Sequence, residues 1–222
     1  MPYSQFTNIS KAKEAFGLKT KEGGRFIPST QSIEPSATLT AYLEESLPLA
    51  ASASEKARSE GIIYPILLEV RRILNREISL FSGEDFTIDE SIGLNGKCDF
   101  LLSRSPEVLE IEAPAIVIVE AKKADLRTGF GEPLCGVSFC PVEVANPEGQ
   151  CMAEMVAAQR FNAAKNRPVS VIYGSITSGT QWRFLKLEEN IVTIDLMDYP
   201  LPPVDEILGI LVWMVQHGWR DL

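Results

Sequence analysis

Two short apolar segments that each carry ionisable residues near one end constrain this chain more than any other feature of it. Residues 97–103 (KCDFLLS) and 115–122 (AIVIVEAK) are rich in the residue types that suit a pleated, buried surface. They predict two β-strands joined by a connection that Pro106 and Pro114 bracket. Side chains alternate along a strand, so Ile116, Ile118, Glu120 and Lys122 should share one face, and Val117, Val119 and Ala121 the other. Lys97, Asp99 and Leu101 likewise share a face. If the strands are neighbours, one face gathers two carboxylates and an amine at the end of a sheet. Ionisable groups in that position are costly unless paired or bound to something. A lone E-x-K is an ordinary ion cluster where strands meet solvent. Asp, a connection, an apolar run and then E-x-K come in the order that a metal site needs.

The 222 residues suffice for one domain with a substantial core, and residues 1–50 read as an N-terminal extension with short helices ahead of a domain over 51–222. Hydrophobic content of 45% and charged content of 23% describe an ordinary globular protein. No apolar run reaches the length of a membrane span, and residues 1–20 lack the apolar core of a signal peptide, so a cytoplasmic protein without a membrane partner is expected. Four cysteines without a C-x-x-C pair, and a single histidine, His217, argue against structural zinc. The same scarcity of histidine excludes H-E-x-x-H and His₃ zinc chemistry, and there is no G-x-S-x-G elbow, phosphate loop or G-x-G-x-x-G. Carboxylate–lysine–metal chemistry is what remains. The net charge of −9 counts against a broad nucleic-acid surface, although local patches such as Lys97, Arg104, Lys122, Lys123 and Arg127 matter more than totals.

Along the chain, Ser10 and Gly17 suggest the cap and stop of a short helix, and 36–49 has helical spacing. A stronger helix is predicted over 54–77, with Pro65 implying a late start or a kink. Residues 78–89 read as a strand with a bulge at Gly83, and Asn95-Gly96 as the turn that folds it against 97–103. Residues 123–150 read as a long loop, expected as a flap over the site or a packed excursion. A helix over 147–165, a strand over 169–176 parallel to 115–122, a meander over 181–196 turning at Glu189-Asn190, and a last helix over 204–216 complete the reading.

The pattern Asp99…Glu120-Ala121-Lys122 resembles the PD-(D/E)XK superfamily, the fold of restriction endonucleases, Holliday-junction resolvases and the nuclease domains of type I restriction subunits. Cys98 stands where the motif's name has Pro. The resemblance implies an α/β, restriction-endonuclease-like three-layer core: a mixed central sheet flanked by helices in the order αβββαβ, here with extra C-terminal strands and a helix. SEKARSEGIIYPILLEV looks like the first helix of the type I subunits' nuclease domain, where an acidic residue points into the site, which nominates Glu60 ahead of Glu55. GQCMAEMVAAQRFN resembles the later helix that brings a glutamine to the site, which nominates Gln150, and Lys123 is the further candidate for substrate contact. The implied function is a Mg²⁺- or Mn²⁺-dependent phosphodiester hydrolase acting on nucleic acid, DNA ahead of RNA. Asp99 and Glu120, with Glu60, would hold the ion, and Lys122 would assist the attacking water. Two alternatives stay open: a catalytically silent nuclease-fold protein that binds nucleic acid or protein, and a metal-dependent enzyme with another substrate. A homodimer is also open.

Overall fold

The structure, a computed structural model, describes residues 2–22, 25–29, 31–122, 147–195 and 197–218. Its elements in chain order are α1 (Ile9–Phe16), β1 (Lys19–Glu22), α2 (Ala37–Ala50), α3 (Glu55–Arg58), α4 (Tyr64–Ile73), β2 (Ser79–Ser82), β3 (Phe100–Ser103), β4 (Ala115–Ala121), α5 (Pro147–Ala164), β5 (Val171–Thr177), β6 (Gln181–Glu188), β7 (Ile191–Ile194), β8 (Tyr199–Pro200) and α6 (Asp205–His217). One open mixed sheet runs β1-β7-β6-β5-β4-β3-β2, with β8 paired to β6. Strand β3 is antiparallel to both β2 and β4, whereas β4 and β5 are parallel, as a helical crossover requires.

Each face of the sheet carries its own apolar core. On one side Val117, Val119 and Ala121 pack with Ile63, Ile66 and Leu67 and with Leu208 and Leu211 of α6. On the other, Ile118 packs with Met152, Met155, Ile172 and Ile176 beneath α5. The predicted alternation along β4 fails at one residue. Leu102 pairs with Val117 but Ser103 with Ala115, so Ile116 is an extra residue in a β-bulge. The bulge places Ile116 in the same core as Val117, not on the face of Ile118 and Glu120.

Two clamps set the position of α5. Buried Asn162 accepts from the Ala115 N–H and donates to the Ala115 C=O, both at 2.8 Å, which ties the helix to the start of β4. At the other end Arg183 of β6 donates to Glu148 at 3.0 Å and to Asp198 at 2.9 Å. Between them Gly174 of β5 faces the helix, where an added Cβ would lie 2.5 Å from Met155 Sδ and 2.9 Å from Cys151 Sγ. A bare backbone there lets α5 sit low on the sheet.

Residues 1–50 do contain the expected short helices, but they are woven into the domain. Strand β1 is parallel to β7 at the edge of the same sheet, and Tyr3 is buried and donates its hydroxyl proton to the Phe86 carbonyl. KTKE has no apolar alternation, so nothing in it announced a strand. Asn8, not Ser10, caps α1, its side chain accepting from Lys11 N at 2.9 Å. A Cβ on Gly149 would lie 2.4 Å from Asn8 O and 2.5 Å from Phe6 O, both backbone atoms that no rotamer change can move. Gly149→Ala is therefore expected to lower stability by about 2–3 kcal/mol, measured by denaturant unfolding; a loss under about 0.5 kcal/mol would show that the N-terminal segment gives way freely.

The helix expected over 54–77 is present, capped by Ser54 and ending at Ile73, and the irregularity expected at Pro65 takes the form of a π-turn over Ser59–Ile63 between α3 and α4. Pro65 has no N–H for the carbonyl of Gly61, and Ser46 Oγ donates to that carbonyl instead at 2.7 Å. The hairpin before β3 turns at Glu90–Ile92 and Gly93, between the bridged Asp89 and Leu94, and Asn95-Gly96 lies on the returning limb. The expected bulge at Gly83 is present in another form, its N–H reaching the carbonyls of both Cys98 and Asp99 at positive φ.

Candidate active site

The pairing of β3 with β4 runs out at Phe100 and Val119, and the site begins just beyond that pair, at Asp99 before β3 and Glu120 in β4. Asp99 Oδ2 accepts from the Ala121 N–H at 2.8 Å, so the side chain continues the ladder where the backbone of β3 leaves it. Glu120, the last acid of β4, is fully buried on the side covered by α5. Lys122 follows the strand's end, with its N–H on the Thr177 carbonyl and its ammonium 2.5 Å from Glu120 Oε1. Gln150, in the first turns of α5, closes the group. Its Oε1 lies 3.5 Å from Lys122 Nζ and its Nε2 donates to Glu154 Oε1 at 3.1 Å. Asp99, Glu120, Lys122 and Gln150 are thus brought together from three elements.

Glu60 is not among them. It is exposed, pairs with Lys56 at 3.6 Å, and lines a groove of about 810 Å³ between α2 and α4 with Tyr42 and Tyr64. The π-turn that begins at Ser59 carries it away from the buried face of Ile62 and Ile63. Glu55, at the capped start of α3, is the acid of this segment whose charge acts on both Asp99 and Lys122. Lys123 and the flap expected over 123–150 fall, up to residue 146, outside the described residues.

Glu154 was not singled out as a site residue. It is fully buried, one helical turn after Gln150, and its carboxyl lies against that of Glu120. The signal was available: an acid inside the run CMAEMVAA has no solvent face to occupy, because Cys151, Met152, Ala153, Met155, Val156, Ala157 and Ala158 are all buried.

Burial dominates the electrostatics. It raises Asp99 above the usual carboxylate range, against the opposing Ala121 N–H and the Lys122 charge. It pushes Glu120 up to about 7, with Asp99 adding to the shift and Lys122 opposing it. Glu154 is raised well above its ordinary value by burial and then by Glu120. Two carboxyl groups in contact cannot both ionise cheaply, so the pair holds one proton near neutrality. That proton belongs on Glu154, because Glu120 has an ammonium beside it and Glu154 has only an amide. For Lys122, burial works to lower the pKa, but Glu120, Asp99 and Glu55 outweigh it and raise the value. The amine is therefore an ammonium, suited to holding a water or an anionic oxygen and unable to take a proton.

Lys122 meets Glu120 Oε1 at 2.5 Å, and beyond the Lys122 ammonium and the Glu154 carboxyl no other side chain hydrogen-bonds the Glu120 carboxyl among the described residues. No three acidic, histidine or cysteine side chains among the described residues form a preassembled metal cage. What is present is a pair of hard oxygen donors: Asp99, which accepts from the Ala121 N–H, and Glu120, whose charge is met by the Lys122 ammonium. That set fits an ion such as magnesium, which accepts one or two carboxylates and keeps several waters. The thiols of Cys98 and Cys151 are both pushed well up by burial and remain protonated, so neither serves as a nucleophile. His217 stacks on Trp213 and bonds its carbonyl at 2.9 Å, which is a packing role. Among the described residues no helix is long and apolar enough to cross a membrane. Comparison of the chain with models of known families and with curated proteins gives no match, and the functional reading stands on this geometry.

Proposed function

We propose that this chain is a divalent-metal-dependent nuclease of the PD-(D/E)XK type. The observation that carries the reading is the convergence of Asp99, Glu120 and Lys122, which lie apart in sequence, at the end of β4 on the face that α5 covers. The order α4-β2-β3-β4-α5-β5, with β4 and β5 parallel, supports the finer, restriction-endonuclease-like reading of the fold. Asp99 and Glu120 would hold magnesium or manganese, and Glu55, not Glu60, is the acid of the first helix that can add its charge. A bound ion of this kind supplies Lewis acidity and lowers the pKa of its water. Lys122, kept as an ammonium, orients that water or stabilises the charge gathering on the phosphoryl oxygens. Gln150 holds the Lys122 side chain on the site side of α5. The substrate in this reading is nucleic acid, DNA ahead of RNA.

One observation favours a silent relative that keeps the fold as a binding module. The ammonium of Lys122 already neutralises Glu120, so the site is partly satisfied without an ion. A cleavage assay with Mn²⁺ or Mg²⁺ on single- and double-stranded DNA and RNA separates the readings. Wild type should cleave only with the ion, and Lys122→Ala should cleave about 10²–10³-fold more slowly, the loss expected when one preorganised donor is removed. Cleavage that survives chelation, or none on any substrate, would discard the nuclease.

A further inference from the structure

Two exposed apolar features of this fold carry opposite charges at their edges. The first is the groove of about 810 Å³ between α2 and α4. Tyr42, Tyr64 and Leu68 stand exposed along it, and Arg71, Arg72 and Arg76 lie at the end where α4 stops. Arg72 is taken up by the buried carboxylate of Glu69, which also holds Ser36 ahead of α2. Arg71 donates from Nε to the Ile78 carbonyl at 2.9 Å, and neither it nor Arg76 pairs with a carboxylate among the described residues. Exposed tyrosine and arginine around a leucine make the composition of an interface, not of a solvated face. Positive charge left over on a chain of net charge −9 suits an acidic segment.

The second feature is the loop over 105–112, between β3 and β4. Val108 is 59% and Leu109 90% exposed, and they sit between Glu107 and the exposed Glu110. The loop is held in shape from within. Ser105 Oγ donates to Glu112 Oε2 at 2.6 Å and accepts from Glu107 N at 3.2 Å. Glu107 Oε1 accepts from Val108 N at 2.8 Å and from Leu109 N at 2.7 Å. These bonds keep an apolar tip in water with a carboxylate on each side, so little ordering is left to be done when it meets a partner.

We propose that the groove receives the 107–110 loop of a second copy of this chain. Val108 and Leu109 enter between Tyr42, Tyr64 and Leu68, and Glu107 and Glu110 meet Arg71 and Arg76. The groove belongs to the α2–α4 side of the sheet, whereas the loop borders Phe81, Phe86 and Phe161 on the α5 side. The contact is therefore head-to-tail, loop to groove, and not one patch meeting itself. It uses none of Asp99, Glu120 or Lys122 and stands apart from the nuclease reading.

The test is sedimentation velocity of the full chain over a concentration series. One loop in one groove is a small interface, so wild type should associate with a dissociation constant on the order of 10 µM. Leu109→Asp in the loop, and Tyr64→Glu or Tyr42→Glu in the groove, should each weaken association at least about tenfold. All three side chains are exposed, so the variants should melt as wild type does. Mixed, Leu109→Asp and Tyr64→Glu should pair one to one and go no further, since one keeps its groove and the other its loop. A monomeric wild type, variants that associate as it does, or no recovery on mixing would overturn the second copy as occupant. Single-stranded DNA that sediments with wild type but not with Tyr64→Glu would give the groove to nucleic acid and overturn it equally.

Discussion

Arg183→Met is expected to cost the folded state about 3 kcal/mol, at the lower end of what removing one partner of a buried ion pair costs. The side chain is 10% exposed and its guanidinium serves two carboxylates, Glu148 at 9% and Asp198 at 25%. Without it Glu148 is left charged in a buried position. The first turn of α5 softens that penalty, because backbone N–H groups there favour an anion, which is why the lower end is expected. Asp198 can turn to water more easily. A chain of this size should lose roughly 6–12 °C in melting temperature for a change of that magnitude. Arg183→Lys should fall between the two, since a single ammonium cannot reproduce bonds from Nε, Nη1 and Nη2 to two acids. A loss below about 1 kcal/mol for Arg183→Met would mean that the segment around Asp198 and the start of α5 are held by other contacts. The clamp matters for the site because Glu148 precedes Gln150 and Glu154 on the same helix.

The legible parts of this fold were those in which a local pattern and the tertiary arrangement agree. Strands β3 and β4, their antiparallel pairing, the parallel β5 and helices α2, α5 and α6 follow from apolar periodicity that the packed structure keeps. Strand β1 was not legible because KTKE pairs by backbone alone at a sheet edge, where side-chain alternation is not required. The Asn95-Gly96 signal misled for a related reason. The dipeptide favours a tight turn locally, but Asn95 O is used by Tyr3 N and Gly96 O by Phe86 N, so long-range bonds decided its place. In the site, Asp99, Glu120 and Lys122 could be placed from strand parity alone. The choice between Glu55 and Glu60 could not, because it depends on a π-turn caused by Pro65 and completed by Ser46 from another helix. Glu154 was visible as an acid in an apolar helical run, yet its significance needed the knowledge that Glu120 faces it.

Glu120→Gln should make the protein more resistant to heat at pH 8 and abolish metal-dependent cleavage. The stability half follows from the raised pKa of Glu120, about 7 in the folded state against an ordinary 4.5. The folded state binds the proton more tightly than the unfolded chain, so stability falls as pH rises from 4.5 towards 7 and stays reduced above that range. Glu154, raised in the same direction, extends the decline to higher pH. A neutral glutamine removes the Glu120 part of this slope. The variant should match wild type near pH 4, and its melting temperature should exceed that of wild type increasingly up to pH 7 and beyond. Lys122 loses its partner but is 28% exposed and retains Asp99 and the Gln150 carbonyl nearby, so its ammonium is not stranded. The activity half follows from charge. In the proposed nuclease an amide in place of the carboxylate would leave Asp99 to hold the ion from the sheet, and cleavage should fall by at least about 10³-fold, combining a lost metal grip with a misplaced ammonium. If Glu120→Gln melts below wild type at every pH, the Glu120–Lys122 pair is a structural bond. If it melts higher and still cleaves, the acid is costly for some purpose other than phosphodiester hydrolysis. A fully buried carboxylate that destabilises its own fold is what a chain retains when the group is needed for something else.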